Sequence, residues 1–222
     1  MEQITPETVR QALLYLAALI ASVTVHEFGH AWVATRLGDP LPAAQGRVTL
    51  RPTRHIDLIG TIVFPLVMIF ANFPLLGWGK PVETNRLAYT RRISPATGHL
   101  LVSLAGPVMN LLLVGVVSLV LVALGRAGVI GGATFTAIFG KLVALNFLLF
   151  FLNLLPMPPL DGGALLEWIL PPAQQHIVHF LAKWGFVILF GLSVVGWLGY
   201  LLIPAGLTSN AWQSFLQRAA GL

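Results

Sequence analysis

Apolar residues occur along this chain in runs too long for a water-soluble surface, and polar residues are confined to the breaks between them. Four runs, residues 9–37, 99–124, 140–170 and 183–203, are each long enough for a helix to cross a bilayer. Thr5-Pro6-Glu7 supplies a helix start before the first run: Thr5 as N-cap, Pro6 at the first helical position and Glu7 on the positive end of the dipole. That helix is predicted to end near Leu37, with Gly38 just beyond it. Glu2 and Glu7 make the start unlike a cleavable signal, so the first run is read as a retained transmembrane helix. Gly46-Arg47-Val48-Thr49-Leu50-Arg51 alternates with a period of two and predicts a short strand in a β-hairpin-like insertion, bounded by Pro42, Gly46 and Pro52. Residues 56–78 are apolar enough to cross but are interrupted by Gly60, Pro65, Pro74 and Gly77, so they either cross once or enter and return.

Composition and charge narrow these choices. The chain is 56% hydrophobic and 9% charged, with a mean hydropathy of +0.83. These values predict an all-α polytopic membrane protein of about four to five transmembrane helices plus a re-entrant segment. The net charge of +5 belongs to loops, where it sets topology rather than binding nucleic acid. If residues 56–78 return, Arg36, Arg47, Arg51, Arg54, Lys80, Arg86, Arg91, Arg92 and Lys183 share one side, opposite Arg10, Arg126, Lys141 and Arg218, nine against four. If they cross once, the split is seven against six and carries no orientation signal. The returning topology is therefore preferred, with the N-terminus outside and the Arg-rich loops in the cytoplasm. One membrane-embedded domain is expected over 1–222, with a core at about 9–170, a last transmembrane helix at about 183–203 and a short amphipathic tail at 204–222. The chain has no cysteine, so disulfides, a thiol nucleophile and thiolate metal ligands are excluded.

The chemistry-bearing pattern is His26-Glu27-Phe28-Gly29-His30 inside the first run. Positions four apart share a helix face, so both imidazoles can reach one tetrahedral Zn2+, with Glu27 beside it. A third protein ligand must come from elsewhere, and Asp161 is the candidate. It follows Pro156, Pro158 and Pro159, which break the third run, and precedes Gly162 and Gly163, which permit close backbone approach. Taken alone, Asp161 could equally cap a helix over 164–170. Asn153 could satisfy backbone freed by the prolines, donate to a developing oxyanion or hold a substrate carbonyl. With the first helix entering hydrocarbon near Gln11, His26 lies about 22 Å deep in a core about 30 Å thick. In the returning topology the third run is parallel to the first, which brings Asp161 to the same depth.

These motifs resemble the site-2 protease family of intramembrane zinc metalloproteases. His26 to His30 fits its HExxH helix, Asn153 to Gly163 its NxxPxPxLDG motif, and Ala105-Gly106-Pro107 with Asn110 its AGPxxN segment. The stretch 46–61 is similar to a compact prokaryotic branch that lacks PDZ and CBS domains, which implies a prokaryotic cell membrane with the active site towards the cytoplasmic side. The resemblance implies that His26, His30 and Asp161 ligate one zinc, that Glu27 is the general base of peptide hydrolysis and that Asn153 lies in the active site. It also implies transmembrane or membrane-associated protein substrates. The strand predicted over 47–51 could hold an unwound substrate by edge pairing. Competing readings are a non-catalytic relative that binds membrane partners, and a zinc transporter, which would be expected to spread its ligands along a pore. A two-iron hydroxylase would need more than the six histidines present. His55 and Asp57 are read as a turn, His99 as the start of a span, His176 and His179 as loop residues, and Glu167 as lining a water path or capping a loop. Gly185, Gly191, Gly196 and Gly199 are read as helix-packing positions.

Overall fold

The computed structural model describes residues 5–71, 77–132 and 139–221; Pro74, one of the interruptions noted above, lies outside them. The first run forms α1 (Pro6–Arg36), 31 residues long or about 46 Å. Its start follows the sequence: Thr5 Oγ1 accepts the Thr8 N–H at 3.2 Å, with Pro6 and Glu7 in the first turn. A short α2 (Leu41–Ala44) follows, then α3 (Phe64–Phe70), α4 (Pro95–Arg126), α5 (Gly140–Asn153), α6 (Gly163–Ile169), α7 (Gln175–Val194), α8 (Trp197–Leu201) and α9 (Ile203–Ala220). Ser94 caps α4 by accepting the Thr97 N–H at 3.1 Å. Three stretches, Pro6–Arg36, Pro95–Arg126 and Pro172–Val194, are helices long and apolar enough to cross a membrane. The chain is accordingly an integral membrane protein.

Side-chain pairs fix the direction of the central helices. His30 contacts Val102 and His26 contacts Asn110, so α4 runs antiparallel to α1. Lys141 reaches Gln11 and Asn146 reaches Ser22, so α5 runs parallel to α1. Ala18, Leu19 and Val23 of α1 pack with Leu145 and Leu149 of α5, while Val114 of α4 packs with Val143 and Phe147.

The run 140–170 breaks as its prolines predict: α5 stops at Asn153, Pro156, Pro158 and Pro159 follow, and α6 begins only at Gly163. Two expectations change. The last apolar helix spans Gln175–Val194 rather than 183–203, because Gly196 takes a left-handed conformation, φ +80°, that turns the chain. Residues 203–220, within and just before the expected amphipathic tail, form α9, whose Leu216 packs on Leu121 and whose Trp212 meets Phe147. Finally, the described residues contain no β-hairpin. The backbone at 46–51 is irregular, its carbonyls and neighbours engaged by side chains: His55 Nε2 donates to Thr49 O at 2.7 Å and Arg47 donates to Arg54 O at 2.6 Å. The isolated antiparallel bridge joins Ile56 to Gly79 instead. With Trp78 N–H donating to Gly60 O and Lys80 N–H to His55 O, that bridge places the two ends of segment 56–79 side by side.

Candidate metal and catalytic site

Asn110, on α4, is fully buried and accepts the His26 Nδ1–H through Oδ1 at 2.7 Å. Its own amide donates to Asn146 Oδ1 at 2.8 Å and to Ser22 O at 3.3 Å, so its orientation is fixed. His30 Nδ1–H donates to Val102 O at 2.7 Å. Both histidines therefore carry their proton on Nδ1 and present Nε2 as a lone pair.

The two lone pairs meet. His26 Nε2 and His30 Nε2 are 3.1 Å apart, although neither has a proton to share. Asp161 brings a third acceptor: Oδ2 lies 3.1 Å from His26 Nε2 and Oδ1 lies 3.4 Å from His30 Nε2, and Oδ2 is buried without a hydrogen-bond partner. Three buried acceptors facing one another repel unless a cation sits among them. With Zn–N and Zn–O distances of about 2.0–2.1 Å, the edge of a tetrahedron is about 3.3 Å, which is the spacing seen here. Gly106 completes the seat, since a Cβ at that position would lie 2.4 Å from His30 Nε2 and 2.6 Å from His26 Nε2. The residues present fit zinc in number, donor type and spacing.

Glu27 is buried next to this seat; its carboxylate and the two imidazoles offer ligating atoms within 4.8 Å of one another. Oε2 accepts the Val82 N–H at 3.2 Å and lies 3.6 Å from Arg47 Nη2. Arg47 is itself buried, and burial holds its guanidinium below the usual arginine range. Asn153, in the last turn of α5, donates to Leu149 O at 3.0 Å, while its carbonyl accepts the Gly162 N–H at 2.6 Å. It thus ties the Pro-rich turn to the helix and also lines the cavity. That cavity, about 700 Å³, is walled by Val23, Trp78, Leu149, Leu152, Phe186 and Leu189 around His26, Glu27, His30, Asn153 and Asp161.

The structure brings together all five residues singled out from the sequence. Three more were not assigned a role there. Asn110 and Gly106 stood in the AGPxxN segment, which was the available signal. Arg47 was counted only as a topological charge. Gly185 packs as read, a Cβ there falling 1.8 Å from Pro158 O, whereas Gly191, Gly196 and Gly199 have nothing within 4 Å. His176 is exposed, as expected of a loop residue, although it lies in the first turn of α7.

Comparison with known proteins supplies a family. A profile of peptidase family M50 matches residues 127–192. Over 190 residues the chain is 37% identical to "Putative zinc metalloprotease YwhC" of Bacillus subtilis, covering 84% of this chain and 82% of that protein. It is 31% identical over 188 residues to "Putative zinc metalloprotease Rip2" of Mycolicibacterium smegmatis, covering 82% of this chain and 67% of the relative. A Mycobacterium tuberculosis protein of the same name is 34% identical over 197 residues, covering 83% and 70%. No solved structure matches the chain. A zinc-compatible seat built by an HExxH helix and a distant aspartate, in a chain so similar over most of its length to these relatives, places the protein in peptidase family M50.

Proposed function

We propose that this protein is an intramembrane zinc endopeptidase that hydrolyses peptide bonds within or near the transmembrane segments of membrane-protein substrates. The observation that carries the reading is the convergence of three buried lone-pair donors beside a buried glutamate, inside a cavity with apolar walls. His26, His30 and Asp161 would hold one zinc, with the second-neighbour contacts from Asn110 and Val102 fixing the imidazole tautomers. When bound, zinc supplies Lewis acidity towards water and towards a carbonyl oxygen.

Glu27 is the general base: it takes a proton from the attacking water and returns it to the leaving amine. The Val82 amide and Arg47 hold its carboxylate in place for both transfers. Asn153 stands at the cavity wall as a polar group for the substrate backbone, and the apolar walls favour a membrane-derived segment. A helical amide is shielded by its own hydrogen bond, so the substrate must unwind locally before it is cut. The zinc seat lies towards the C-terminal end of α1, the end bearing the Arg-rich loops. This supports an active site near the cytoplasmic face with the N-terminus outside.

The test is a paired measurement of zinc per chain and of cleavage of single-span peptides, for wild type and Glu27→Gln. Stoichiometric zinc in both, with cleavage in wild type alone and abolished by a chelator, is expected. Folded wild type without zinc, or Glu27→Gln cutting as fast as wild type, would overturn the reading.

A further inference from the structure

Among the described residues, five buried side-chain atoms lack a hydrogen-bond partner: Arg47 Nε, His55 Nδ1, Tyr89 Oη, His99 Nδ1 and Asp161 Oδ2. All five are sealed from open space. Ser103 Oγ is a different case. It too makes no hydrogen bond, but it is not sealed, and its residue, 7% exposed, lines the cavity of the zinc seat. The hydroxyl therefore opens onto the space a substrate would fill.

A hydroxyl on a helix has a default partner that Ser103 does not take. Ser and Thr inside helices commonly donate back to the carbonyl four residues earlier, as Ser22 does to Ala18 O, Thr24 to Ile20 O and Thr35 to Ala31 O. For Ser103 that carbonyl is His99 O, and the bond is not made. The position is also close to the chemistry. Ser103 precedes Gly106 by three residues on α4, and residues so spaced are surface neighbours, about 5–6 Å apart between Cβ positions. Gly106 is where a Cβ would touch both ligand nitrogens, and Val102, the residue before Ser103, holds His30 through its carbonyl. Ser103 thus stands one helical turn from the metal seat on a rigid element. An extended peptide advances about 3.3 Å per residue, so a chain with its scissile bond at the seat brings a carbonyl one or two residues away to this hydroxyl.

The polar groups around the seat are mostly acceptors. His26 and His30 present lone pairs, Glu27 and Asp161 present carboxylates, and Asn153 already gives an amide proton to Leu149 O. An unwound peptide brings carbonyls whose helical hydrogen bonds have been broken, and these are costly to bury unpaired between apolar walls. We propose that Ser103 is a substrate-contacting residue whose Oγ–H donates to a backbone carbonyl oxygen of the unwound peptide close to the scissile bond. This rests on the peptidase reading.

The experiment measures binding and cutting separately on zinc-loaded full-length protein in detergent. In a Glu27→Gln background, which keeps a bound single-span peptide intact, Ser103→Ala is expected to bind the peptide about 2- to 10-fold more weakly by fluorescence anisotropy. Zinc per chain and the circular dichroism spectrum are expected to stay unchanged. Equal affinity overturns the proposal, and loss of zinc overturns it in favour of a structural Ser103. A peptide series then replaces single amides on either side of the cleaved bond with esters, whose carbonyls are weaker acceptors. At one position the ester is expected to weaken binding to the Glu27→Gln parent more than to its Ser103→Ala derivative; equal effects on both proteins at every position overturn the proposal. In the otherwise wild-type background, Ser103→Ala is expected to lose a similar factor in kcat/KM, and an unchanged value overturns it. A wild type that takes up zinc and cuts peptide, with no effect of Ser103→Ala, defeats this proposal alone; a folded wild type that takes up no zinc and cuts nothing defeats the peptidase reading with it.

Discussion

A methyl group at position 106 has no room. Its carbon would fall 2.4 Å from His30 Nε2 and 2.6 Å from His26 Nε2, where no real Cβ contact exists and where the ligand must sit. Gly106→Ala is therefore expected to abolish zinc uptake while leaving the helical circular dichroism unchanged, which zinc analysis of the purified variant would reveal. Asn110→Leu tests the same seat from behind. It removes the acceptor of His26 Nδ1–H and leaves Asn146 Oδ1 without its donor, so zinc affinity should fall about 10- to 100-fold in a competition with a chelator of known strength. At this scale the sequence is uneven. His26, Glu27 and His30 are legible because their spacing is the helix's own period. Asn110 acts on a residue 84 positions away, and no local periodicity signals such a pair; only its place in AGPxxN drew notice. Arg47 looked like one loop cation among many, and nothing short of the fold shows that it is buried against Glu27.

Elements are legible where a single local rule decides and fail where competing partners do. Thr5-Pro6-Glu7 and Ser94-Pro95 start helices as capping chemistry requires, and the prolines after Asn153 break α5 as expected. The alternation over 46–51 suggested a strand, but a strand needs a neighbour. Here the Thr49 carbonyl is taken by His55 and the Arg54 carbonyl by Arg47, so the ladder never forms. That replacement has a pH signature. Burial, reinforced by the charge of Arg47, keeps the His55 imidazole below the usual histidine range, against the opposite pull of the Thr49 carbonyl. A group whose folded pKa is depressed binds a proton more readily when unfolded. Its fold is thus unaffected well above the unfolded value of about 6.5 and loses stability as pH falls below it. The melting temperature should drop between pH 7 and pH 5, and His55→Gln, which keeps a donor for Thr49 without a titrating ring, should flatten part of that slope. At Gly185 the close approach of α7 to the Pro158 carbonyl leaves no space for a side chain. Gly185→Val is expected to displace the turn carrying Asp161 and to lower zinc occupancy and melting temperature together.

For the whole molecule, the question is which end faces the cytoplasm, and the fold makes the answer testable with few assumptions. Lys141 reaches Gln11 and Arg126 Nε donates to Ala219 O at 2.9 Å. These contacts gather the start of α1, the end of α4, the start of α5 and the end of α9 at one end of the bundle. The basic residues there, Arg10, Arg126, Lys141 and Arg218, are the minority set of the charge count. The other end carries Arg86 on Glu167 and Trp168 on Thr97, among the Arg-rich loops. The two ends of segment 56–79 lie side by side, which supports the proposed returning topology; in that topology the nine-against-four asymmetry is the orientation signal to test. The absence of cysteine allows single-cysteine variants to be read without background. Leu87 and Val129 are exposed at 88% and 67% and lie before and after α4. In intact cells, a membrane-impermeant maleimide should label Val129→Cys and spare Leu87→Cys until the membrane is opened. The opposite pattern would reverse the orientation and put the zinc seat near the outer face. Labelling of both from outside would mean that α4 does not cross, and the intramembrane placement of the site would fall with it.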